Sequence, residues 1–313
     1  MNNHLLISII TTVYNGDKHL PELMNSIINQ TYSNFEFIIV DDCSMDNTYS
    51  ILKKCQEYES RIKLIKNEFN QKQAYSRNLA INIAKGKYIA FIDADDIAHL
   101  NRLQTQLNFM ELNPDIDVCG SCYYLFNGNN FKFKQTPPTT HDEIECHMRL
   151  FGNCIAFPSV MLKTDTIKKF LFDGKMQGNA EDYELWIRML DNNVKFYNIP
   201  EYLLYYRIHN SQSSQTNLKP IYEYVNSIRS KTLKKIFPDW SENKITNALS
   251  AMMNSRLNFK LLSYHFLLNQ IYRANLDVLQ FNISTLKKTI CRVSIRKRLH
   301  LKLLHLFLKA TDK

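Results

Sequence analysis

Two rhythms of apolar residues alternate through the first third of the chain. Leu6-Ile-Ser-Ile-Ile-Thr-Thr12 is a near-continuous β-branched run, the kind found in a parallel strand covered on both faces. It ends in the turn Val13-Tyr-Asn-Gly16, after which Leu20, Leu23, Met24, Ile27 and Ile28 recur at helical spacing. Phe35-Glu-Phe-Ile-Ile-Val40 reads as a second strand ending in Asp41-Asp42. Ser44-Met-Asp-Asn-Thr48 then supplies helix-start residues, and Ile51, Leu52 and Cys55 mark the apolar side of the next helix. Ile62 to Ile65 is a short third strand, Ala74 to Ala84 a helix closed by Gly86, and Tyr88 to Ile92 a fourth strand. Such strict alternation predicts a parallel sheet with right-handed crossovers, whose ligands bind beyond the carboxyl ends of the strands. Tyr14, Asp41, Asp42, Asp93, Asp95 and Asp96 all fall at that end.

From Val118 the pattern changes. Val118 to Phe126 and Phe131 to Phe133 predict a hairpin around Asn127-Gly-Asn-Asn130, and Pro158-Ser-Val-Met-Leu162 reads as another strand. Gly174 to Asn179 is a polar loop leading into a helix over Ala180 to Leu190, with Leu185, Trp186 and Met189 on its apolar side. Val194 to Ile199 and Tyr202 to Tyr206 read as short strands. After Ser214 the pattern is helical to the end, with a boundary near 211–220 where Ser, Gln, Asn and Pro220 cluster.

The run Tyr88-Ile-Ala-Phe-Ile-Asp-Ala-Asp-Asp96 carries the sharpest chemistry. A buried strand cannot take Asp93, Asp95 and Asp96 into its core unpaired, so they belong at its rim. Asp93 and Asp95 are two apart, which in extended backbone puts them on one side, as oxygen ligands suited to Mg²⁺ or Mn²⁺. The other reading is an acidic helix start, since Asp96 to Leu100 leads into Leu103, Leu107 and Met110. Only Gly16 stands where a dinucleotide turn needs three glycines, and no P-loop is present; both count against those nucleotide folds.

Composition narrows the setting. The 313 residues can build one large domain or one domain with a smaller companion. Seven scattered cysteines read as reduced thiols, and Cys119-Gly-Ser-Cys122, with no second pair at a metal-site distance, as small core residues. Without a basic amino-terminal region or a run of about 18 apolar residues, the expectation is a cytoplasmic chain that does not span a membrane. Of the net charge of +9, all but one unit falls between Lys287 and Lys313, where nine Lys and Arg face the single Asp312. Leu299, Leu301, Leu303, Leu304, Leu306, Phe307 and Leu308 interleave with Arg296, Lys297, Arg298, Lys302 and Lys309. Two readings suit this tail: a basic amphipathic helix on an anionic membrane surface, or a terminal helix packed on its own domain. Nucleic acid is not expected as a partner, since the charge is confined to one end and no RNA-binding motif accompanies it.

Seven motifs in order carry a resemblance: Ser8-Ile-Ile-Thr-Thr-Val-Tyr-Asn15, Gln30-Thr-Tyr, Val40-Asp-Asp-Cys-Ser-Met-Asp-Asn-Thr48, Ser76-Arg-Asn78, Gly86 to Asp96, Ala180 to Arg188, and Tyr205-Tyr-Arg-Ile-His209. Together they are similar to the inverting, nucleotide-sugar-dependent glycosyltransferases of family 2. The resemblance implies an α/β GT-A fold, a Rossmann-like, mostly parallel sheet with helices on both faces. This domain would take 1–212, divided into a nucleotide-binding half, 1–117, and an acceptor half, 118–212. A helical region with the basic tail, 213–313, would follow.

The resemblance also implies roles. Thr12 and Tyr14 line a nucleobase pocket, Asp42 reads the uracil N–H of a UDP-linked donor, and Arg77 stands near the diphosphate. Asp93-Ala94-Asp95 is the DXD motif, Asp95 the more direct metal ligand and Asp93 a ribose or water-mediated contact; His209 completes the shell around Mn²⁺ or Mg²⁺. Asp182 is the implied general base, with Glu181 the neighbour most easily confused with it. Asp46 reads better as a turn and cap residue. Phe157 replaces a histidine frequent in the family before Ser159, and the Q-x-x-R-W motif and membrane helices of processive members are missing, so one sugar per encounter is expected. The acceptor would be a glycan or lipid-linked sugar in surface polysaccharide synthesis. The competing reading is a catalytically inactive scaffold in a glycan-assembly complex.

Overall fold

A computed structural model describes residues 5–127, 130–174, 180–209, 212, 218–253, 271, 275 and 281–296. The chain divides into two compact units, Met1–Thr139 with Ile155–Leu218, and Thr140–Cys154 with Lys219–Lys313.

In the first unit, strands β1 (Ile7–Val13), β2 (Phe35–Asp41), β3 (Ile62–Lys66) and β4 (Tyr88–Phe91) alternate with helices α1 (Leu20–Ile28), α2 (Thr48–Tyr58) and α3 (Lys72–Ile83). The strands lie in the order β3-β2-β1-β4, every neighbour parallel. Residues of β1 and β2 are buried on both faces, which is why the sequence shows continuous apolar runs there instead of alternation. One polar knot interrupts that core. The buried Glu36 carboxylate accepts from Ser8 Oγ at 2.5 Å and from the Lys85 N–H at 2.7 Å, and pairs with Lys63. Gly86 follows directly, and its N–H donates to Ser8 Oγ at 2.8 Å. Burial pushes the Glu36 carboxyl up, but Lys63, Ser8 and the Lys85 N–H outweigh it and hold the group below its ordinary 4.5.

Beyond β4 strand direction reverses. β8 (Met161–Lys163) pairs antiparallel with β4; β6 (Val118–Asn127), β9 (Phe196–Arg207) and the edge strand β5 (Ile97–Ala98) follow, and β7 (Asn130–Gln135) folds back on β6. The reversal leaves the carboxyl end of β4 at a switch point, where open α/β sheets bind ligands. Helices α4 (Arg102–Leu112), α6 (Thr164–Phe170) and α7 (Glu181–Leu190) belong to this unit.

Three stretches differ from the sequence pattern. The acids after β4 do not start a helix: Ile97 and Ala98 pair with Tyr205 and Leu204, and α4 begins only at Arg102. Phe157–Ser159 is a turn of 3₁₀ helix, so the strand expected from Pro158 is reduced to Met161–Lys163. The two short strands expected near 194–206 are one, β9, whose register against β6 slips between Ser121 and Tyr123. Pro200, with no N–H to give the ladder, sits at the slip. Cys119 and Cys122 are buried core thiols of β6.

The second unit contains α5 (His141–Phe151), α8 (Leu218–Ile236), α9 (Glu242–Met253) and α10 (Ile283–Arg296). On α5, Glu143 faces Lys288 and Arg292 of α10 at 3.7 and 3.3 Å. The amphipathic tail from 297 onward and the loop 175–179 lie outside the described residues. Among the described residues, no helix is long and apolar enough to cross a membrane.

Candidate active site

The loops after β1, β2, β3 and β4 are laced together. Asn15, in the left-handed region at φ 52, donates its N–H to Ser44 Oγ at 2.9 Å and accepts from the Met45 N–H at 2.8 Å. The Gly16 N–H donates to Thr48 Oγ1 at 2.8 Å. A side chain at Gly16 would sit 2.6 Å from Val13 Cγ2 and 3.8 Å from Ala94 Cβ, so this loop runs close to the DXD segment. Asp46 accepts from the N–H groups of Thr48 and Asp17 at 3.0 and 3.2 Å, which is the turn and cap role read from the sequence. Beside this lacing Thr12 is half-buried on β1, and the Tyr14 ring is 51% exposed, open to stacking.

Asp42 is buried and heavily used. Its Oδ1 accepts from Asn67 Nδ2 at 2.7 Å, the Gln71 N–H at 2.8 Å and Ser76 Oγ at 3.2 Å; its Oδ2 accepts from the Lys72 N–H at 2.9 Å. The neighbouring Asp41 is fully buried, with Oδ1 on the Ser44 N–H and Oδ2 without a partner.

Arg77 reaches from α3 into the acids. Its guanidinium stands 3.6 Å from Asp93 Oδ1 and 3.4 Å from Glu181 Oε2, over the Phe157 ring at 4.1 Å. Phe157 stacks in turn on Phe91 of β4 at 4.7 Å. The aromatic ring at this position thus packs Arg77 in place, and Glu181, buried and ion-paired, is the partner of Arg77. Asp182, next along α7, has Oδ1 on the Tyr183 N–H at 2.7 Å, and its charge acts on Asp93. Desolvation pushes the Asp93 carboxyl up to about 6; Arg77 opposes, while Asp95 and Asp182 add repulsion. Asp93, Asp182, Glu181 and Arg77 therefore form one electrostatic cluster.

Asp95 and His209 meet directly, Oδ2 to Nε2 at 2.8 Å, and the His19 ring lies 5.2 Å from that of His209. Desolvation holds the His19 pKa below its ordinary 6.5, with Arg207 and His209 adding to it and Asp95 opposing. Among the described residues no three His, Cys, Asp or Glu converge as a full metal cage. The donor set nevertheless fits a hard divalent cation that takes its remaining ligands from substrate phosphates, which is how Mg²⁺ is usually bound. Asp95 and His209 are the pair that would hold it; Asp93 is turned toward Arg77.

The third acid has a different part. Asp96 is buried, accepts the Arg207 N–H at 2.8 Å, and desolvation, with repulsion from Asp95 and Asp93, drives its pKa well above the ordinary 3.8. Arg207 also donates Nε to the Asp95 carbonyl at 2.7 Å, pairs with Glu22 at 2.5 Å and covers the Phe126 ring at 4.4 Å. Beneath β4, Arg102 is 1% exposed and donates to the carbonyls of Phe91 and Val160 at 2.7 and 3.2 Å. Desolvation pulls its pKa down to about 10, against Cys119, Asp96 and Asp93. Sequence reasoning assigned neither arginine. Arg207 stands inside the motif that gave His209, so a basic residue in an otherwise aromatic strand was the signal; Arg102 reads as an ordinary first residue of a helix and gave none.

Comparison with known proteins gives the family and the fold. A family model described as glycosyl transferase family 2 matches residues 8–171. An uncharacterized glycosyltransferase of Methanocaldococcus jannaschii is 40% identical over 224 residues, which are 70% of this chain and 77% of that one. WfgD of Escherichia coli, a UDP-Glc:α-D-GlcNAc-diphosphoundecaprenol β-1,3-glucosyltransferase, is 34% identical over 218 residues, 69% of this chain and 82% of its own. Among solved structures, S. aureus TarS 1–349 in complex with UDP-GlcNAc superposes with a TM-score of 0.60 at 22% identity, covering 86% of this chain and 81% of that one. The longer TarS chain is spanned over 49% of its length. The fold is GT-A, and the chain belongs to glycosyl transferase family 2.

Proposed function

We propose that this glycosyltransferase moves one sugar from a UDP-linked donor to a hydroxyl of a lipid-linked or glycan acceptor, with inversion at the anomeric carbon. The observation that carries the reading is the acid cluster, in which Asp93 and Asp95 follow β4, Asp182 lies in the first turn of α7 near enough to act on Asp93, and Arg77 stands beside Asp93. Support for the donor and acceptor classes comes from the name of WfgD, which takes UDP-Glc and a diphosphoundecaprenol-linked sugar.

In this reading the base stacks on Tyr14 beside Thr12, and Asp42 borders the same pocket. Arg77 and the Asp93-Ala94-Asp95 rim receive the ribose and diphosphate. Asp182 takes the proton of the acceptor hydroxyl as its oxygen bonds to the anomeric carbon. The bond from that carbon to the diphosphate oxygen breaks on the opposite face, its electron pair leaving with UDP. A positioned base contributes roughly 10²–10⁴ in rate. A divalent cation on Asp95 and His209, Mn²⁺ or Mg²⁺, would supply Lewis-acid stabilisation to the leaving diphosphate. A transferase domain within 1–212 that excludes 140–154, a helical region after it that takes 140–154 in, and a basic tail resting on the anionic inner face of the membrane near a lipid-linked acceptor belong to the same proposal.

A screen of nucleotide sugars for thermal stabilisation and for hydrolysis, with and without Mn²⁺, tests it. The expected result is stabilisation by a UDP-sugar, and turnover that Asp182→Asn lowers by about 10²-fold or more with donor affinity retained. Wild-type turnover by that variant would refute the base assignment. Failure of every nucleoside diphosphate to bind would favour the scaffold reading.

A further inference from the structure

Helix α3 carries Arg77, and its first turn has no capping side chain of its own. The first N–H groups of a helix need acceptors from outside it. Here they point at Asp42, from the loop after β2: the Gln71 N–H lies 2.8 Å from Oδ1 and the Lys72 N–H 2.9 Å from Oδ2. Asn70 Oδ1 shares the Lys72 donor at 3.2 Å. Lys72 holds a left-handed backbone, φ 70, a conformation a lysine adopts only when its surroundings impose it. Ser76, one turn further along the same helix, adds its hydroxyl to Oδ1 at 3.2 Å, and Asn67 Nδ2 spans Asp42 Oδ1 and Ser76 Oγ at 2.7 and 2.9 Å. Every donor to this carboxylate belongs to α3 or to the loop that enters it.

We infer that Asp42 is the N-terminal cap of α3, supplied from a neighbouring strand, and that it is a positioning residue setting the reach of Arg77 to the diphosphate. Arg77 is one residue beyond Ser76 and about 7–8 Å along the helix from Lys72. Releasing the cap lets the first turns of α3 relax, which withdraws the guanidinium from Asp93 and Glu181. A buried carboxylate at a helix N-terminus also complements the positive end of the helix dipole, so the loss is electrostatic as well as geometric. The inference rests on the nucleotide reading above for its diphosphate, but not for its cap. A carboxylate that only read a nucleobase would leave the ligand-free protein indifferent to its loss.

The test compares Asp42→Asn with the parent in three measurements. The first is the unfolding midpoint without ligand; the second is affinity for UDP, dTDP, ADP and inorganic pyrophosphate; the third repeats the pyrophosphate titration in an Arg77→Met background. The amide keeps one acceptor oxygen and must lose at least one backbone N–H. The expected results are a ligand-free midpoint lower by on the order of 3 °C, and a uniform loss of about ten-fold for all four ligands. In the Arg77→Met background the Asp42→Asn loss disappears, a coupling that general loosening of the fold does not produce. An unchanged midpoint with a loss confined to UDP would overturn the inference and return Asp42 to base reading alone. If no ligand binds even the parent, the nucleotide reading fails while the midpoint still decides the cap. Should Asp42→Asn not fold, Ser76→Ala removes one donor at smaller cost and is expected to give the same uniform weakening; selective loss of UDP there overturns the inference equally.

Discussion

Arg207→Met isolates what holds the metal-side acid in place. The methionine keeps apolar cover over Phe126 and leaves the backbone N–H on Asp96, so two hydrogen-bonded contacts are removed, together with the guanidinium charge over the ring. One is the 2.7 Å bond from Nε to the Asp95 carbonyl. A charge-assisted bond lost at a site only 5% exposed costs about 1.5–3 kcal/mol. The other is the pair with Glu22, whose side chain is 51% exposed; an ion of that kind contributes about 0–1 kcal/mol once freed into water. The two hydrogen-bonded contacts together come to about 1.5–4 kcal/mol, or roughly 3–8 °C in the unfolding midpoint at about 2 °C per kcal/mol for a chain of this size. Because the bond is to the Asp95 main chain, the same change displaces the carboxylate that meets His209, so kcat should fall by about 10–100-fold, in keeping with what an ångström of misplacement costs. Calorimetry and steady-state transfer with the donor found by the nucleotide-sugar screen measure both. A variant with the parent's midpoint and the parent's kcat would show that Arg207 neither clamps the loop nor bears on the site.

Two further outcomes follow, one from a feature outside the site and one from the loop beside it. Glu36 is held below 4.5 in the fold, so acid protonates the unfolded chain first; its contribution is full above 4.5 and is lost as pH falls through the lower folded value. Glu36→Gln should lower stability at neutral pH and flatten the acid limb of a denaturation series, and an unaltered limb would contradict the linkage. Cys43 sits at φ 64, a left-handed conformation costing about 1–2 kcal/mol for a residue with a Cβ. Cys43→Gly removes that cost against about 0.5–1 kcal/mol of added chain entropy and the Sγ contact to the Glu68 carbonyl, so the urea midpoint should rise by the equivalent of up to about 1.5 kcal/mol; a lower midpoint counts against it.

The parallel half of the sheet was legible because β1, β2 and β4 are buried on both faces and the crossover helices α1 and α2 show their apolar stripes. The second half was less so, for local reasons. Pro200 splits the apolar pattern of β9 although the strand runs through it, and Pro158 sits in a turn that borrows strand-like neighbours. The helix at His141–Phe151 lies in a stretch where pattern reading assigned no element. At the site, Asp93 and Asp95 stand out from their place just beyond a strand, whereas Asp182 and His209 are singled out only by the resemblance to family 2. The groups that aim them could not. Arg207, Glu22 and Arg102 act through backbone carbonyls or through partners far away in sequence, as the 185-residue separation between Arg207 and Glu22 illustrates. Asp42 shows the opposite limit, since the resemblance implied a ligand contact while its hydrogen bonds among the described residues run to α3 and the loop that enters it.

The second unit is assembled from two pieces of chain, because α5 leaves the first unit after Thr139 and the chain returns at Ile155. Ile144, Cys146, Met148 and Leu150 of α5 are buried, and Glu143 is met by Lys288 and Arg292 from the far end of the sequence. A simple stop codon near residue 218 therefore does not liberate a clean transferase domain: it bares an apolar helix in the middle of what remains. Anyone trimming this enzyme has to excise 140–154 together with the carboxyl-terminal helices and bridge the gap with a short polar linker.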